Sequence, residues 1–440
     1  MKYSEQESFF KEIYNSIFAP VLLGFVEWVL KEAEQRGICR LYFLARDGYQ
    51  MYLAAEYLCK KRGLAIDCRY LYGSRYAWRI PQFVLMGEEC LTMLCCGGID
   101  VTFEKVMKRG GLNDEEAKAV AEELGFTAEY RRILSYSEVM QLKKPLAESR
   151  LFLPLVYAHS RAACETTMEY FKQEGMFEDV TYALVDSGWT GSLQQTLTQL
   201  LAYAGCEKKL EGFYFGLYEL PKGVEENCYH TYYFGPGYGM RRKVYFSNCL
   251  YEAVYSAPHG MTVGYEAYER KQTATQGKKV ENVYRPLFYK SQNLNQTRME
   301  LEEVWLKKCL KEYSELKGKK QNEIKVTNVK NTYKLLKRFM GSPTTEEAKA
   351  YGSLLFSDDV TEEQVQCVAA GLSKEEIKNQ QVRNKLLIML GIKKQVLKES
   401  AWIEGSIALA SVNRRWQLFH VRGYKYLVYF RKWLKRGTGH

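Results

Sequence analysis

Two stretches, Cys39-Arg-Leu-Tyr-Phe-Leu-Ala-Arg-Asp-Gly-Tyr and Ala183-Leu-Val-Asp-Ser-Gly-Trp-Thr-Gly-Ser, constrain this chain more than any other feature. In each, a short apolar run stops at a turn holding an aspartate and glycine, and a helical pattern follows. Runs of that length, bounded by turn residues, read as strands buried on both faces. Helical periodicity covers residues 9–36, Tyr49 to Lys61 and 192–204, with stops at Gly37, Gly63 and Gly205. Asp67-Cys-Arg-Tyr-Leu-Tyr is a further strand, ending at Gly73-Ser74-Arg75, and Leu210 to Tyr218 is the next. Strands alternating with helices, with sharp loops after the strands, predict an α/β fold with a Rossmann-like parallel sheet.

A chain of 440 residues suits two or three domains. Residues 1–80 and 176–285 are expected to form the α/β core. Residues 81–175 carry short helical patterns with few β-branched runs and read as a helical insertion capping the sheet. Residues 286–440 read as a helical, basic C-terminal domain. Tyr229 to Tyr245, rich in Tyr and Gly, suits a hairpin.

The first 300 residues hold 36 Lys and Arg against 37 Asp and Glu, whereas the last 140 hold 27 against 15. No acidic residue follows Glu404, and RGYKYLVYFRKWLKR sets six basic residues among five aromatics. A solvated helix face is the first reading of that tail. Contact with the inner membrane surface is the second, because aromatic rings favour the headgroup boundary and cations meet anionic lipid. Nucleic acid fits poorly, since no RNA-binding signature accompanies the charge. The apolar stretch around Phe18 to Leu30 is interrupted by Glu27 and reads as a buried helix rather than a span. The first residues lack a signal peptide's apolar core, so the expected location is the cytoplasm. The 12 cysteines form no C-x-x-C pair and sit in apolar patterns, which argues for reduced core thiols over a zinc or disulfide framework.

In open α/β sheets, ligands bind outside the carboxyl ends of the strands. Asp47 and Asp186 both fall there, where two carboxylates could hold magnesium or sugar hydroxyls. The loop of Asp186, Ser187, Gly188, Trp189, Thr190, Gly191 and Ser192 opens a helix, whose unpaired N–H groups favour phosphate. Ser74 and Arg75 could join them, an arginine fork being suited to phosphate oxygens. The competing reading is that Asp47, Asp186 and Ser192 only cap helices. Trp189 either stacks on a sugar or packs beneath the loop. His259, in a Pro/Gly-bracketed turn, is a candidate with Glu252 as polar partner, although a lone histidine is usually a packing residue.

The ordered elements LLGFVEWVLKEAEQRGICRLYFLARDGY, YLYGSRYAWRIP, LVDSGWTGSLQQTL, YSAPHGMTVGY and ESAWIEGS together resemble a bacterial family of predicted hydrolases in the haloacid dehalogenase superfamily. Many of its members occur in polysaccharide, capsule or O-antigen gene clusters. The resemblance spans about residues 15–405 and implies action on a phosphorylated or nucleotide-activated sugar. Phosphatases of that superfamily use an Asp-x-Asp motif, which this chain lacks; Asp100-Val-Thr102 reads as a helix cap instead. Asp186 could match the magnesium-binding acid. LVDSGWTGSLQQTL is also similar to the ribose-phosphate loop of type I phosphoribosyltransferases, with Asp186 and Thr190-Gly191 at the matching positions and Val185 replacing an acid. In that resemblance, Arg46-Asp47-Gly48 cradles pyrophosphate and magnesium bridges the ligand. Three functions follow as expectations: a haloacid dehalogenase-like hydrolase acting on or binding a phosphorylated or nucleotide-activated sugar, a phosphoribosyltransferase-like enzyme, and a non-catalytic scaffold that recruits glycan-assembly enzymes to the membrane.

Overall fold

The computed structural model describes residues 3–97, 101–270, 281–290, 293–317, 328–357, 365–389, 392 and 397–437. Five parallel strands, β1 (Arg40–Leu44), β2 (Asp67–Leu71), β3 (Tyr182–Trp189), β4 (Glu211–Leu217) and β5 (Tyr229–Phe234), form one sheet in the order β2-β1-β3-β4-β5. This is a Rossmann-like α/β fold with the doubly wound order 2-1-3-4-5.

The buried run of β1 has a direct cause. Leu41 and Phe43 enter the core on one face of the sheet, and Tyr42 and Leu44 enter the core on the other. The first face is covered by the helices Ala19–Arg36 and Gly48–Arg62; the second by Arg75–Met86, Phe152–Gln173 and Ser192–Tyr203. A strand between two helical layers has no solvent side, so its sequence does not alternate.

Residues 80–156 build their own apolar cluster around Phe83, Phe103, Met107, Val120 and Phe152, as a helical unit inserted between β2 and β3. Thr102 caps its helix Phe103–Arg109 by accepting from the Lys105 N–H; Asp100 lies outside the described residues. The segment expected to be a hairpin is not one. Tyr229–Phe234 joins the sheet in parallel as β5, and Met240–Val244 is a helical turn, because the edge of β4 offers backbone partners that a local turn does not. An antiparallel pair, β6 (Thr262–Arg270) with β7 (Glu281–Phe288), follows instead. It packs on the sheet's second face, where Tyr265 stacks on Tyr170 with ring centres 4.1 Å apart and accepts from Trp78 Nε1 at 2.8 Å.

The C-terminal third is mainly helical, with one short pair, β8 (Leu355–Phe356) and β9 (Gln366–Cys367). It shares the main core with the sheet. Trp305, Leu310, Phe339, Tyr351 and Trp402 lie in the same apolar cluster as Leu41, Val185 and Phe215. Only a small satellite cluster around Ile377, Ile407 and Leu418 belongs to the C-terminal segment alone among the described residues.

Glu7–Arg36 is one helical stretch long and apolar enough to cross a membrane, and 72% of its most apolar window is buried in this fold. A π-helical turn, Tyr14–Phe18, precedes Pro20. Such a turn accommodates a residue that has no N–H to give to the preceding turn.

Trp402 tests the shared core. Its ring is fully buried, stacks on Phe339 and donates to the Met340 carbonyl at 2.7 Å. Trp402→Ala is expected to cost about 3–5 kcal/mol in urea unfolding and to move a single cooperative transition. A separate early transition of the C-terminal helices would contradict a common core.

Candidate active site at the switch point

The sheet reverses its winding between β1 and β3, which places the ends of these two strands side by side. A cavity of about 290 Å³ opens there. Arg46, Asp47, Ser74, Arg75, Asp186, Ser187, Gly188, Trp189, Thr190, Ser192 and Glu252 all line it. The sequence candidates outside its lining are Gly48, Gly191 and His259.

The strand expected to end in a turn at Asp186 runs on to Trp189, because Gly188 and Trp189 pair with Gly216 and Leu217 of β4, and two glycines shape this stretch and the turn after it. Gly188 has φ +117°, and a Cβ there would lie 2.2 Å from the Gly216 carbonyl oxygen of β4. Gly191 has φ +64° at the start of the Ser192 helix, and a Cβ there would meet the Tyr229 ring at 2.7 Å. Between them, Trp189 holds φ +79°, a conformation that a bulky residue adopts only when its surroundings impose it. Those surroundings are the rings of Tyr218, Phe234, Phe246 and Tyr251. Trp189 therefore packs under the loop, and its indole N–H donates to Glu252. The packing fixes the carboxylate in the cavity wall.

The helix-cap reading fails for the acidic residues. Asp47 stands at the N-cap of Gly48–Arg62 without a side-chain capping bond, and Gly191, not Ser192, is the N-cap of Ser192–Tyr203. Asp47 Oδ2 instead accepts from the Ser187 hydroxyl at 2.5 Å, a bond that ties the turn after β1 to β3. Ser74 is a cap: its Oγ accepts from the Ala77 N–H at 3.0 Å and donates to the Thr262 carbonyl at 2.7 Å. Gly48 serves packing, since a Cβ there would come within 3.0 Å of the Phe43 carbonyl carbon.

His259 is a packing residue in this structure. Nδ1–H donates to the Gly260 carbonyl at 2.8 Å, which leaves Nε2 to accept from the Tyr70 hydroxyl at 2.8 Å. Its ring sits among Tyr70, Tyr72 and Phe288, and burial pulls its pKa down to about 4. The expected pairing with Glu252 is absent because Glu252 accepts from Trp189.

The electrostatics centre on three carboxyls, Asp186 buried and Asp47 and Glu252 half-buried. Burial, then repulsion from Asp47, pushes Asp186 up to about 8 and Glu252 up to about 8. Asp47 is also raised by burial, but the Ser187 hydroxyl and the charges of Arg46 and Arg75 oppose the rise. All three acids are thus raised by their surroundings, with the charge of Arg75 opposing the rise in each. Such shifts are common at functional sites.

No set of three His, Cys, Asp or Glu side chains poised to hold a metal occurs among the described residues. Magnesium does not require one, since it is commonly held by one or two carboxylates, ligand phosphate and water. Asp47 and Asp186 fit that mode: they are neighbours that repel each other in a polar cavity, and a divalent cation would relieve the repulsion.

The sequence offered no sign of several wall residues. Asn248 stands one turn before Glu252 on the helix Asn248–Tyr255, Thr262 starts β6, and Phe356 and Ser357 come from β8 and its end. Only the Asn248–Glu252 spacing, which puts both on one helix face, was a usable local signal. No family model matches the chain, and neither does any curated protein.

The raised acids set a pH dependence. An acid protonated in the folded state and ionised in the unfolded state makes stability fall as pH rises between its two pKa values. For Asp186 and Glu252 that window runs from the ordinary 3.8 and 4.5 up to about 8. Asp186→Asn and Glu252→Gln are therefore expected to raise stability at pH 9 by roughly 1–3 kcal/mol each and to change it little near pH 4. Urea unfolding at both pH values checks this; equal effects at the two would contradict the assignment.

Proposed function

We propose that this cavity binds a phosphorylated or nucleotide-activated sugar with magnesium and hydrolyses it, in the synthesis of a bacterial surface polysaccharide. The observation that carries the reading is the meeting of Asp47, Asp186 and Glu252 with Arg46 and Arg75 at the switch point of one parallel sheet. The resemblance to the haloacid dehalogenase-like family supplies the sugar and the polysaccharide context.

Each group has a chemical part. Arg46 and Arg75 take phosphate oxygens, and Asp47 and Asp186 hold the metal. Bound magnesium would supply charge neutralisation on the phosphate. Without an Asp-x-Asp nucleophile, water attacks phosphorus and the P–O bond to the sugar breaks. Glu252, held by Trp189 and protonated near neutrality, gives its proton to the departing oxygen.

A second reading rests on Thr190 and Ser192, which line the same cavity at the start of the Ser192 helix. There they suit the 5′-phosphate of phosphoribosyl pyrophosphate.

Thermal unfolding with magnesium and a panel of sugar phosphates, nucleotide sugars and phosphoribosyl pyrophosphate separates the readings. A ligand at a hundred times its Kd adds about 2.7 kcal/mol, a rise of a few degrees. The expected shift comes with a sugar phosphate or nucleotide sugar, requires magnesium, and is lost in Asp186→Asn and Arg75→Ala. A shift with phosphoribosyl pyrophosphate alone would favour the transferase. No shift with any ligand would favour a non-catalytic scaffold.

A further inference from the structure

The last helix, Arg414–Gly437, presents two different faces. Its inner face packs on the body of the protein. Leu418 and Val421 are buried, Lys425 pairs with Glu404 at 2.7 Å, Lys432 pairs with Glu219 at 2.9 Å, and Arg422 donates to the Gly341 carbonyl at 2.7 Å. On the outer face, Trp416, Phe419, Leu427, Phe430 and Trp433 are 54%, 67%, 54%, 47% and 48% exposed. At about 100° per residue they fall in one stripe about 120° wide, opposite the buried face.

The charges around that stripe are of one sign. Arg415 and Arg431 are exposed at its two margins, and neither has an acidic partner among the described residues. Residues 405–440 contain eight Lys and Arg and no Asp or Glu. The acids that neutralise this helix, Glu404 and Glu219, both lie on its inner side.

We propose that this outer face is a docking surface for an anionic lipid bilayer, with Trp416, Phe419, Leu427, Phe430 and Trp433 seated at the headgroup boundary. An apolar stripe with aromatic rings and flanking cations is the pattern of a helix lying in the membrane plane. A second copy of the chain would bring the rows of Arg415 and Arg431 against identical cations. Nucleic acid would meet an uncharged apolar stripe where phosphates need cations. An anionic, apolar-cored surface complements both features. The docked helix would also touch the candidate site's surroundings: Tyr429 stacks on Tyr218 at 5.6 Å, and Tyr218 packs against Trp189 at 6.1 Å. The proposal is independent of the chemistry assigned to the cavity.

The test is co-sedimentation of the full chain with phosphatidylcholine vesicles, with and without about a quarter phosphatidylglycerol. Sedimentation with the anionic vesicles is expected, much weaker with the neutral ones, and declining as salt rises. Each basic residue near such a surface is worth about fivefold in affinity. Arg415→Glu combined with Arg431→Glu is therefore expected to weaken binding at least about tenfold, while the double Lys variant retains it. Phe419→Ser with Phe430→Ser should lose it as well. Vesicles with brominated acyl chains give a readout on the unmodified chain, in which insertion of Trp416 and Trp433 quenches fluorescence. Failure to sediment with anionic vesicles, absence of quenching, or unchanged binding by the Glu variants would overturn the proposal. So would a solution dimer that the Phe variants convert to monomer.

Discussion

The parallel pairing of β1 with β3, from Arg40 opposite Tyr182 to Phe43 opposite Val185, is the constraint on which the candidate site depends. Asp47 stands three residues past the end of β1 and Asp186 lies within β3, one residue beyond its last pair with β1, so pairing in this register brings the two carboxyls to one cavity. Helices on both faces of the sheet limit the access of water to them. The fold offsets that cost in part, through the Ser187 hydroxyl on Asp47, the Ser187 and Gly188 N–H groups on Asp186, and the charges of Arg46 and Arg75. What remains uncompensated appears as raised pKa values. A site in that condition favours a proton or a cation, and a ligand phosphate that brings magnesium answers both charges at once.

The walls of the cavity come from segments far apart in the chain. β1 and β3 supply the acids, the Arg75–Met86 helix an arginine, the Asn248–Tyr255 helix Glu252 and Asn248, and the segment at Phe356–Ser357 the far side. That last contribution is possible because the C-terminal helices belong to the main core. Trp402 and Phe339 are as much part of the sheet's packing as Leu41. The indole of Trp189 joins these parts, since its packing among rings aims its N–H at Glu252.

Much of the frame was legible because strands buried on both faces and helices of regular period leave local marks. β1, β2, β4 and the Ser192 helix fall where the apolar runs and turn residues place them. Asp47, Asp186, Arg75 and Glu252 were recognisable as polar groups at loop or helix positions. Tyr229–Phe234 was not legible as a parallel strand, because its aromatic and glycine content suits a hairpin equally well and only the free edge of β4 decides between them. His259 misled for a similar reason. A bracketed turn suggests exposure, yet Tyr70 and Phe288, distant in sequence, enclose it.

The sequence by itself determined a parallel α/β fold, two acidic glycine segments, one after β1 and one in β3, and a cationic aromatic tail, because each is written in the spacing of neighbouring residues. Tertiary structure alone decided that Asp47 bonds Ser187 rather than capping its helix, that Glu252 answers to Trp189 and not to His259, and that the last third shares the sheet's core. Those outcomes depend on which surfaces exclude water together. Burial of that kind is a property of contacts between distant segments, and a local pattern carries no record of it.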